Sequence, residues 1–387
     1  MIGKVRMPYD DFNLSNWPFR TSADENFAAV WAGRAKTKDQ LERLLKKMRL
    51  LPKSGLHIFW ANFGMGKTHT LYHLKYRCGE SKGQIIPIYA VMPKRSTGFL
   101  ELYREIVQSF LSVEMRDYLG KQLVDLGQNS KGSSVALHPI FSRSPGVVKA
   151  LLAIRNGEIE ATTTAMQWLT AQSGLDSRSL KSIGVTYRIK TPEDAISALS
   201  ALINLAIWGG KQQKQVLLMI DEFQRIGELR PNIISQVNSS LHTIFNAHPT
   251  GLQLLLTFSF GKKENVDYLL SAELKSRTEP QSINLDVLSH GEAVEFLCDL
   301  LMQFRIVKND ANPLFPFSQP SVNTMLTTIA QKKALTPRRI MLYAHHVLTE
   351  HMLNVTDYTG EINEEEMMSL LNVPELGDMD IDADRSG

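Results

Sequence analysis

Apolar residues recur at two periods along this chain, and the switches between them outline strands alternating with helices. Leu41, Leu44, Leu45 and Met48 stand at helical spacing and predict an amphipathic helix over residues 39–51, broken by Gly55. Residues 56–60 then read as a short buried strand and 68–76 as a helix. A second strand is predicted over 85–92 and a second amphipathic helix over 99–111. Further on come a helix at 195–208, a strand at 216–220, a helix at 233–245 and strands at 252–258 and 283–285. Strands that alternate with helices imply an α/β fold whose parallel sheet is covered by helices. From Gly291 the pattern turns helical, over 293–304, 321–332 and 338–353.

The expected domain plan is a lead-in over 1–35, an α/β core over 36–290, a helical lid over 291–358 and an acidic tail over 359–387. The lead-in mixes polar residues with Tyr9, Phe12, Trp17, Phe19, Phe27 and Trp31; Trp17, Phe19, Phe27 and Trp31 could include an adenine-stacking residue, but core packing is the safer assignment. The stretch from about 112 to 190 carries scattered helical pieces around 147–154 and 161–171, and a flexible-looking polar segment, Gly127-Gln128-Asn129-Ser130-Lys131-Gly132-Ser133-Ser134. It reads as a helical insertion, and its role is not legible.

Charge adds an asymmetry to this plan. The 387 residues carry a formal net charge of +3, yet nine acidic residues and a single basic one lie between Glu361 and Gly387, so residues 1–360 hold about +11. A basic body suits a polyanionic partner, and the acidic tail is expected to be partly disordered. The longest apolar runs, such as Val216-Leu217-Leu218-Met219-Ile220, are strand-sized, so no membrane span is expected. The first residues, Met1-Ile2-Gly3-Lys4-Val5-Arg6, lack an apolar stretch of signal-peptide type, and Cys78 and Cys298 stand apart from each other. A reduced, cytoplasmic setting is therefore expected.

Two segments carry chemistry. Ala61-Asn62-Phe63-Gly64-Met65-Gly66-Lys67-Thr68 lies between a predicted strand and a predicted helix. Glycines let backbone N–H groups approach phosphate oxygens closely, and the helix that follows turns its positive end toward the same anion. Lys67 would reach the β- and γ-phosphates and the Thr68 hydroxyl would sit on Mg²⁺, while Met65 and His69 complete the nucleotide-binding run. The first glycine of the full pattern is Ala61 here. The second segment is the apolar strand 216–220 ending in Asp221-Glu222. Such a strand delivers both carboxylates to the carboxyl edge of the sheet, where Asp221 would hold the Mg²⁺ shell and Glu222 would activate the attacking water.

With these pieces in order the chain resembles the AAA+ P-loop ATPases, and among them the initiator-type group of origin-recognition proteins and transposition regulators. Ala32-Gly33-Arg34 followed by a helix is similar to that group's opening, which lies near the adenine, so the resemblance places Arg34 at the nucleotide. Thr257 or Ser259, at the end of the strand 252–258, falls at the sensor-1 position, where the family more often has Asn or Thr. Leu274-Lys275-Ser276-Arg277 resembles the segment bearing the arginine finger, which implies that Arg277 is offered to a neighbouring subunit. Leu335-Thr336-Pro337-Arg338-Arg339 resembles sensor 2, with Arg338 on the γ-phosphate and Leu335 where the family commonly has Gly. A further resemblance, on Met166-Gln167-Trp168-Leu169 and the long helix before the Asp-Glu strand, is to ATP-binding proteins of BREX-type phage-defence loci.

The resemblance implies ATP and Mg²⁺ as ligands and a homo-oligomer that works as an ATP-dependent switch, with double-stranded DNA as partner. ATP rather than GTP rests on the family, since no guanine-reading Asn-Lys-x-Asp occurs. Only the acidic segment follows the last predicted helix, so DNA contact is expected from the core or the insertion. The alternative is a slow-turnover signalling subunit that controls a separate effector, such as a nuclease, without binding DNA itself. Other chemistries find little support. His69 and His73 are four residues apart, yet no third zinc ligand accompanies them. His345, His346 and His351 also lack partners at metal spacing, and neither Gly-x-Ser-x-Gly nor a nucleophilic cysteine context is present.

Overall fold

The computed structural model describes residues 7–80, 83–129, 139–208, 214–260, 264–280, 282–308, 312–354 and 360–372. Five strands form one sheet: β1 (Gly55–Ala61), β2 (Ile85–Val91), β3 (Gln215–Asp221), β4 (Leu252–Phe258) and β5 (Ile283–Leu285), in the order β2-β3-β4-β1-β5. The pairings of β2 with β3, β3 with β4 and β4 with β1 are all parallel. The fold is therefore α/β with a parallel sheet, as its pattern predicts, and it continues into a helical C-terminal region. Every residue of β3 and β4 is buried, the expected state of a strand covered on both faces. Registers such as Trp60 opposite Phe258 and Ile220 opposite Leu256 bring the carboxyl ends of these strands to one edge.

Helix ends differ from the periodicity where caps decide them. The helix Pro192–Ile207 begins before its first core-facing residue because Thr191 and Asp194 form a reciprocal capping box and Pro192 fixes the first turn. Apolar spacing cannot report such ends. The chain divides into two compact units, one of Met1–Leu41, Ala61–Tyr76 and Asn284–Gly387, the other of Glu42–Trp60 and Arg77–Ile283.

The second of these holds the sheet's buried strands and a continuous core running from Leu56 through Tyr103, Trp168 and Leu202 to Leu274. Residues 113–182 include helices at Val113–Asn129, Pro145–Asn156, Ile159–Leu169 and Ser177–Ser182. Of the polar segment 127–134, residues 127–129 end the first of these helices, and 130–134 lie outside the described residues. Trp168 anchors this region. Its indole N–H donates to Tyr187 O at 2.6 Å, and its ring meets Tyr187 edge-on with centroids 5.6 Å apart. Gly146 is packed so closely beneath it that an added Cβ would lie 2.6 Å from Trp168 Cη2. Trp168→Ala is expected to destabilise this unit by about 3–5 kcal/mol, and Gly146→Ala by about 1–3 kcal/mol, as read from denaturant midpoints.

The first unit has its own core, in which the lead-in packs on the helical C-terminal region. Phe12, Leu14 and Phe19 are buried, Ser15 N–H donates to Phe304 O, and Arg305 Nη1 donates to Phe12 O. Tyr9, Trp17 and Phe27 are partly buried and pack against the same core. The acidic segment, expected to be partly disordered, is folded from 360 to 372. Asn363 caps the helix Glu364–Leu371, Met367 and Leu371 are buried, and Ile362 bridges to Phe317. Its few apolar positions among glutamates gave periodicity little to register. Residues beyond 372 lie outside the described ones.

Buried histidines give the stability a pH dependence. Burial pushes His57 and His248 below the ordinary value of 6.5, even though Gln253, Ile244 O and Ser200 O accept or share hydrogen bonds with them. A folded value below the unfolded one means that the unfolded chain takes up protons first as pH falls. The stability held at neutral pH is thus expected to drop once pH passes below about 6.5. Denaturant midpoints at about pH 7.5 and about pH 5.5 check this, with a smaller drop expected for His57→Gln.

Candidate functional site

The glycine loop starts at the residue that closes β1 and ends where the helix Lys67–Gly79 begins. Gly64 and Gly66 take φ of +73° and +90°, a backbone region closed to most L side chains. An added Cβ at Gly66 would meet nothing within 4 Å, so the loop presents open backbone there. Gly64 is different: a Cβ would lie 3.3 Å from Arg338 Cβ and 3.4 Å from Thr336 Oγ1. Arg338 N–H donates to Gly64 O at 3.2 Å, so the first turn of the helix Pro337–Asn354 rests on the loop. The structure thus brings together Gly64 and Arg338, which lie far apart in the chain.

Lys67 is buried, and its ammonium donates to Ala61 O at 3.2 Å and Asn62 O at 3.1 Å, folded back over the loop. Thr70 Oγ1 donates to Gly66 O at 2.9 Å and fastens the first helical turn. The histidines that follow serve the lead-in: His69 Nε2 donates to Val30 O and His73 Nδ1 to Ala28 O, both at 2.8 Å. The His69 ring is therefore committed to Val30. Among the described residues no group of three His, Cys, Asp or Glu could hold a metal ion. Burial pushes the Cys78 thiol up to about 12, which leaves it inert.

Arg34 follows Gly33, whose N–H donates to Asp299 Oδ2 at 2.8 Å. Its Nε and Nη2 are buried without a hydrogen-bond partner among the described residues. Burial pulls its guanidinium down to about 10, against the opposing pull of Glu292 and Asp286. A buried cation with unpartnered donors is costly unless a ligand supplies acceptors.

In the unit of Glu42–Trp60 and Arg77–Ile283, β3 delivers Asp221 and Glu222 to the carboxyl edge. Asp221 Oδ1 accepts from Thr257 Oγ1 and from Glu222 N–H, and Oδ2 accepts from Tyr89 OH at 3.2 Å. Glu222 stands in the left-handed region with φ 55° and ψ 34°, which costs a non-glycine residue roughly 1–2 kcal/mol. Its carboxylate accepts from Ser259 Oγ at 3.3 Å and from Gln224 Nε2 at 2.7 Å, with Arg225 Nη2 at 3.7 Å. Of the two sensor-1 candidates, Thr257 therefore serves Asp221 and Ser259 serves Glu222.

Arg277 is exposed, after the short helix Ala272–Lys275, and its neighbour Thr278 bridges to Leu56 near the start of β1. That is the amino edge of the sheet. Across a seven-residue strand, about 3.3 Å per residue separates it from the carboxyl edge. The structure does not bring Arg277 to Glu222 of its own chain. Tyr89, Gln224 and Arg225 belong to no motif in the sequence. Tyr89 was accessible in principle, since it lies two residues before Val91, which pairs with Asp221, and so shares its face.

No family model matches the sequence, and no curated protein matches it. The structure is similar to the Aeropyrum pernix ORC2 protein in its ADPNP–ADP complexes, at 10% identity and a TM-score of 0.48, over 91% of this chain and 72% of that one. It is similar to the Aeropyrum pernix ORC1 protein in complex with DNA, at 12% identity and a TM-score of 0.46, over 88% of this chain. There the match spans 65% of the other protein's length. Domain III of the Thermotoga maritima replication initiation protein DnaA is similar at 11% identity and a TM-score of 0.43, over 90% of this chain and 97% of that one. Among the described residues no helix is long and apolar enough to cross a membrane.

Proposed function

We propose that this chain is an AAA+ ATPase that binds and hydrolyses Mg-ATP and acts as an ATP-dependent oligomeric switch on double-stranded DNA. The observation that carries the reading is the hydrogen bond from Arg338 N–H to Gly64 O, which rests the first turn of the helix Pro337–Asn354 on the glycine loop and supports Arg338 as a sensor-2 residue. Gly66 offers open backbone and Arg34 offers unpartnered donors, so the residues fit a nucleotide. In this reading Lys67 exchanges the loop carbonyls for phosphate oxygens, Arg338 adds a second cation, and Arg34 donates to acceptor atoms of the base. Thr68 and Asp221 would hold Mg²⁺, as the resemblance implies, and the ion when bound would shield the phosphate charge. Glu222 takes the proton of the attacking water.

Arg277 supports an assembly. It is exposed at the amino edge of its own sheet, so it serves a neighbouring subunit's nucleotide. The formal charge of about +11 over residues 1–360 supports a polyanionic partner. ATP turnover with and without duplex DNA tests the reading. Stimulation of several-fold that is lost in Arg277→Ala is expected. Turnover indifferent to DNA and to Arg277→Ala would turn the reading toward a slow-turnover subunit that controls a separate effector. One observation favours that second reading: both Glu222 carboxylate oxygens already accept hydrogen bonds.

A further inference from the structure

Residues 42–53 hold Arg43, Lys46, Lys47, Arg49 and Lys53 against one acid, Glu42, a net charge of +4 over 12 residues. The helical insertion over 113–190 carries the same net +4, ten cations against six acids, but spread over 78 residues. The fold turns the concentrated charge outward. Leu44, Leu45 and Met48 of the helix Ala35–Leu50 are buried, and all five cations are exposed. Glu42 is neutralised by Arg77 at 2.9 Å, and Lys47 holds Glu279 at 2.8 Å. Arg43, Lys46 and Arg49 pair with no carboxylate among the described residues. Attraction to the negative end of the helix accounts for Lys47 and Arg49 in its last turn, but not for Arg43 and Lys46 ahead of it.

The run is also fixed in place. Gln215, the buried first residue of β3, donates through Nε2 to Met48 O and to Leu51 O, which ties the end of the helix to the sheet. Gln253 Nε2, from β4, donates to Lys53 O at 2.8 Å, and Gly251 N–H donates to Pro52 O at 2.9 Å. Cations on a rigid element meet a rigid polyanion without the ordering cost that a loop would add. From Arg43 to Lys46 and to Arg49 the helix rises about 4.5 Å and about 9 Å. A duplex carries one charge per about 1.7 Å of its axis, so all three cations meet phosphates at once. The surface lies at the amino edge of the sheet, away from Asp221 and Glu222 at the carboxyl edge. Resting on the reading of double-stranded DNA as the partner, we propose that this surface, centred on Arg43, Lys46 and Arg49, is where the chain grips the duplex. The contact is with the phosphate backbone and is independent of base sequence.

The test is duplex binding by the full chain with Mg-ATP present, followed by fluorescence anisotropy at salt concentrations from about 50 to 200 mM. Arg43→Gln, Lys46→Gln and Arg49→Gln are combined in one variant. Arg178→Gln, Lys181→Gln and Lys190→Gln, exposed cations of the insertion, are combined in a control of equal net charge. The proposal predicts that the first variant binds about tenfold or more weakly and that its log–log salt slope falls by about 2.7, three phosphates' worth. Each of its substitutions alone is expected to lower the slope by about 0.9. The control is expected to bind like wild type, and both variants to keep the wild-type melting temperature and Mg-ATP affinity. Equal losses in the two variants would reduce the effect to net charge and overturn the proposal. Wild-type affinity in the first variant would overturn it too, and leave the DNA reading standing. Wild type that binds no duplex would overturn both. If the first variant keeps its DNA affinity but no longer self-associates in sedimentation, the surface is a contact between copies and the proposal falls.

Discussion

Replacing Lys67 with alanine is expected to weaken Mg-ATP binding by about 100-fold or more, as measured by titration calorimetry. Lys67 is 6% exposed, and its ammonium already lies over the loop, bonded to Ala61 O and Asn62 O. A triphosphate entering the loop offers that ammonium charged oxygens in place of neutral carbonyls. Two or three charge-assisted bonds then exist only in the complex, and their loss accounts for an effect of this size. The substitution also strands two carbonyls, so a stability loss of about 1 kcal/mol is expected beside the binding defect. Backbone N–H donors from the loop and the helix start remain, which is why residual binding is expected at high nucleotide concentration.

Glu222→Gln is expected to leave binding intact and to lower turnover by about 10²- to 10⁴-fold. Glutamine preserves shape and can still face Ser259 Oγ and Gln224, but it cannot take a proton from water. The strained backbone at Glu222 sharpens the expectation. A left-handed non-glycine residue at the end of a fully buried strand is held by its surroundings, and such strain gathers where a side chain must be aimed. Binding by calorimetry and phosphate release under saturating nucleotide separate the two effects. A variant that lost binding and turnover together would instead assign Glu222 a structural part.

The sheet was legible because β3 and β4 are short, mostly apolar segments of strand length, the composition of strands buried on both faces. The loop was legible because few sequences put two glycines, a lysine and a hydroxyl residue between a strand and a helix. What escaped were the partners set by register and by long-range return. Tyr89 meets Asp221 only through the β2–β3 pairing, and Gln224 meets Ser259 only because β3 and β4 end together. The backbone contact of Arg338 with Gly64 was not legible either, since spacing cannot place a late helix on an early loop and the resemblance offers Arg338 only to a γ-phosphate. His69 carries a bond that the motif does not announce. It sits inside the nucleotide-binding run, yet its ring serves Val30, a backbone acceptor that no motif announces. The acidic segment hid the helix Glu364–Leu371 because charge density outweighed its two buried apolar residues.

The most direct test of the central claim is phosphate release from Mg-ATP by the purified chain, measured beside Lys67→Ala from the same preparation. The account predicts release by wild type that is saturable in ATP and needs Mg²⁺, with Lys67→Ala reduced to background. Equal release from both proteins, or none from wild type at any nucleotide concentration, would contradict it.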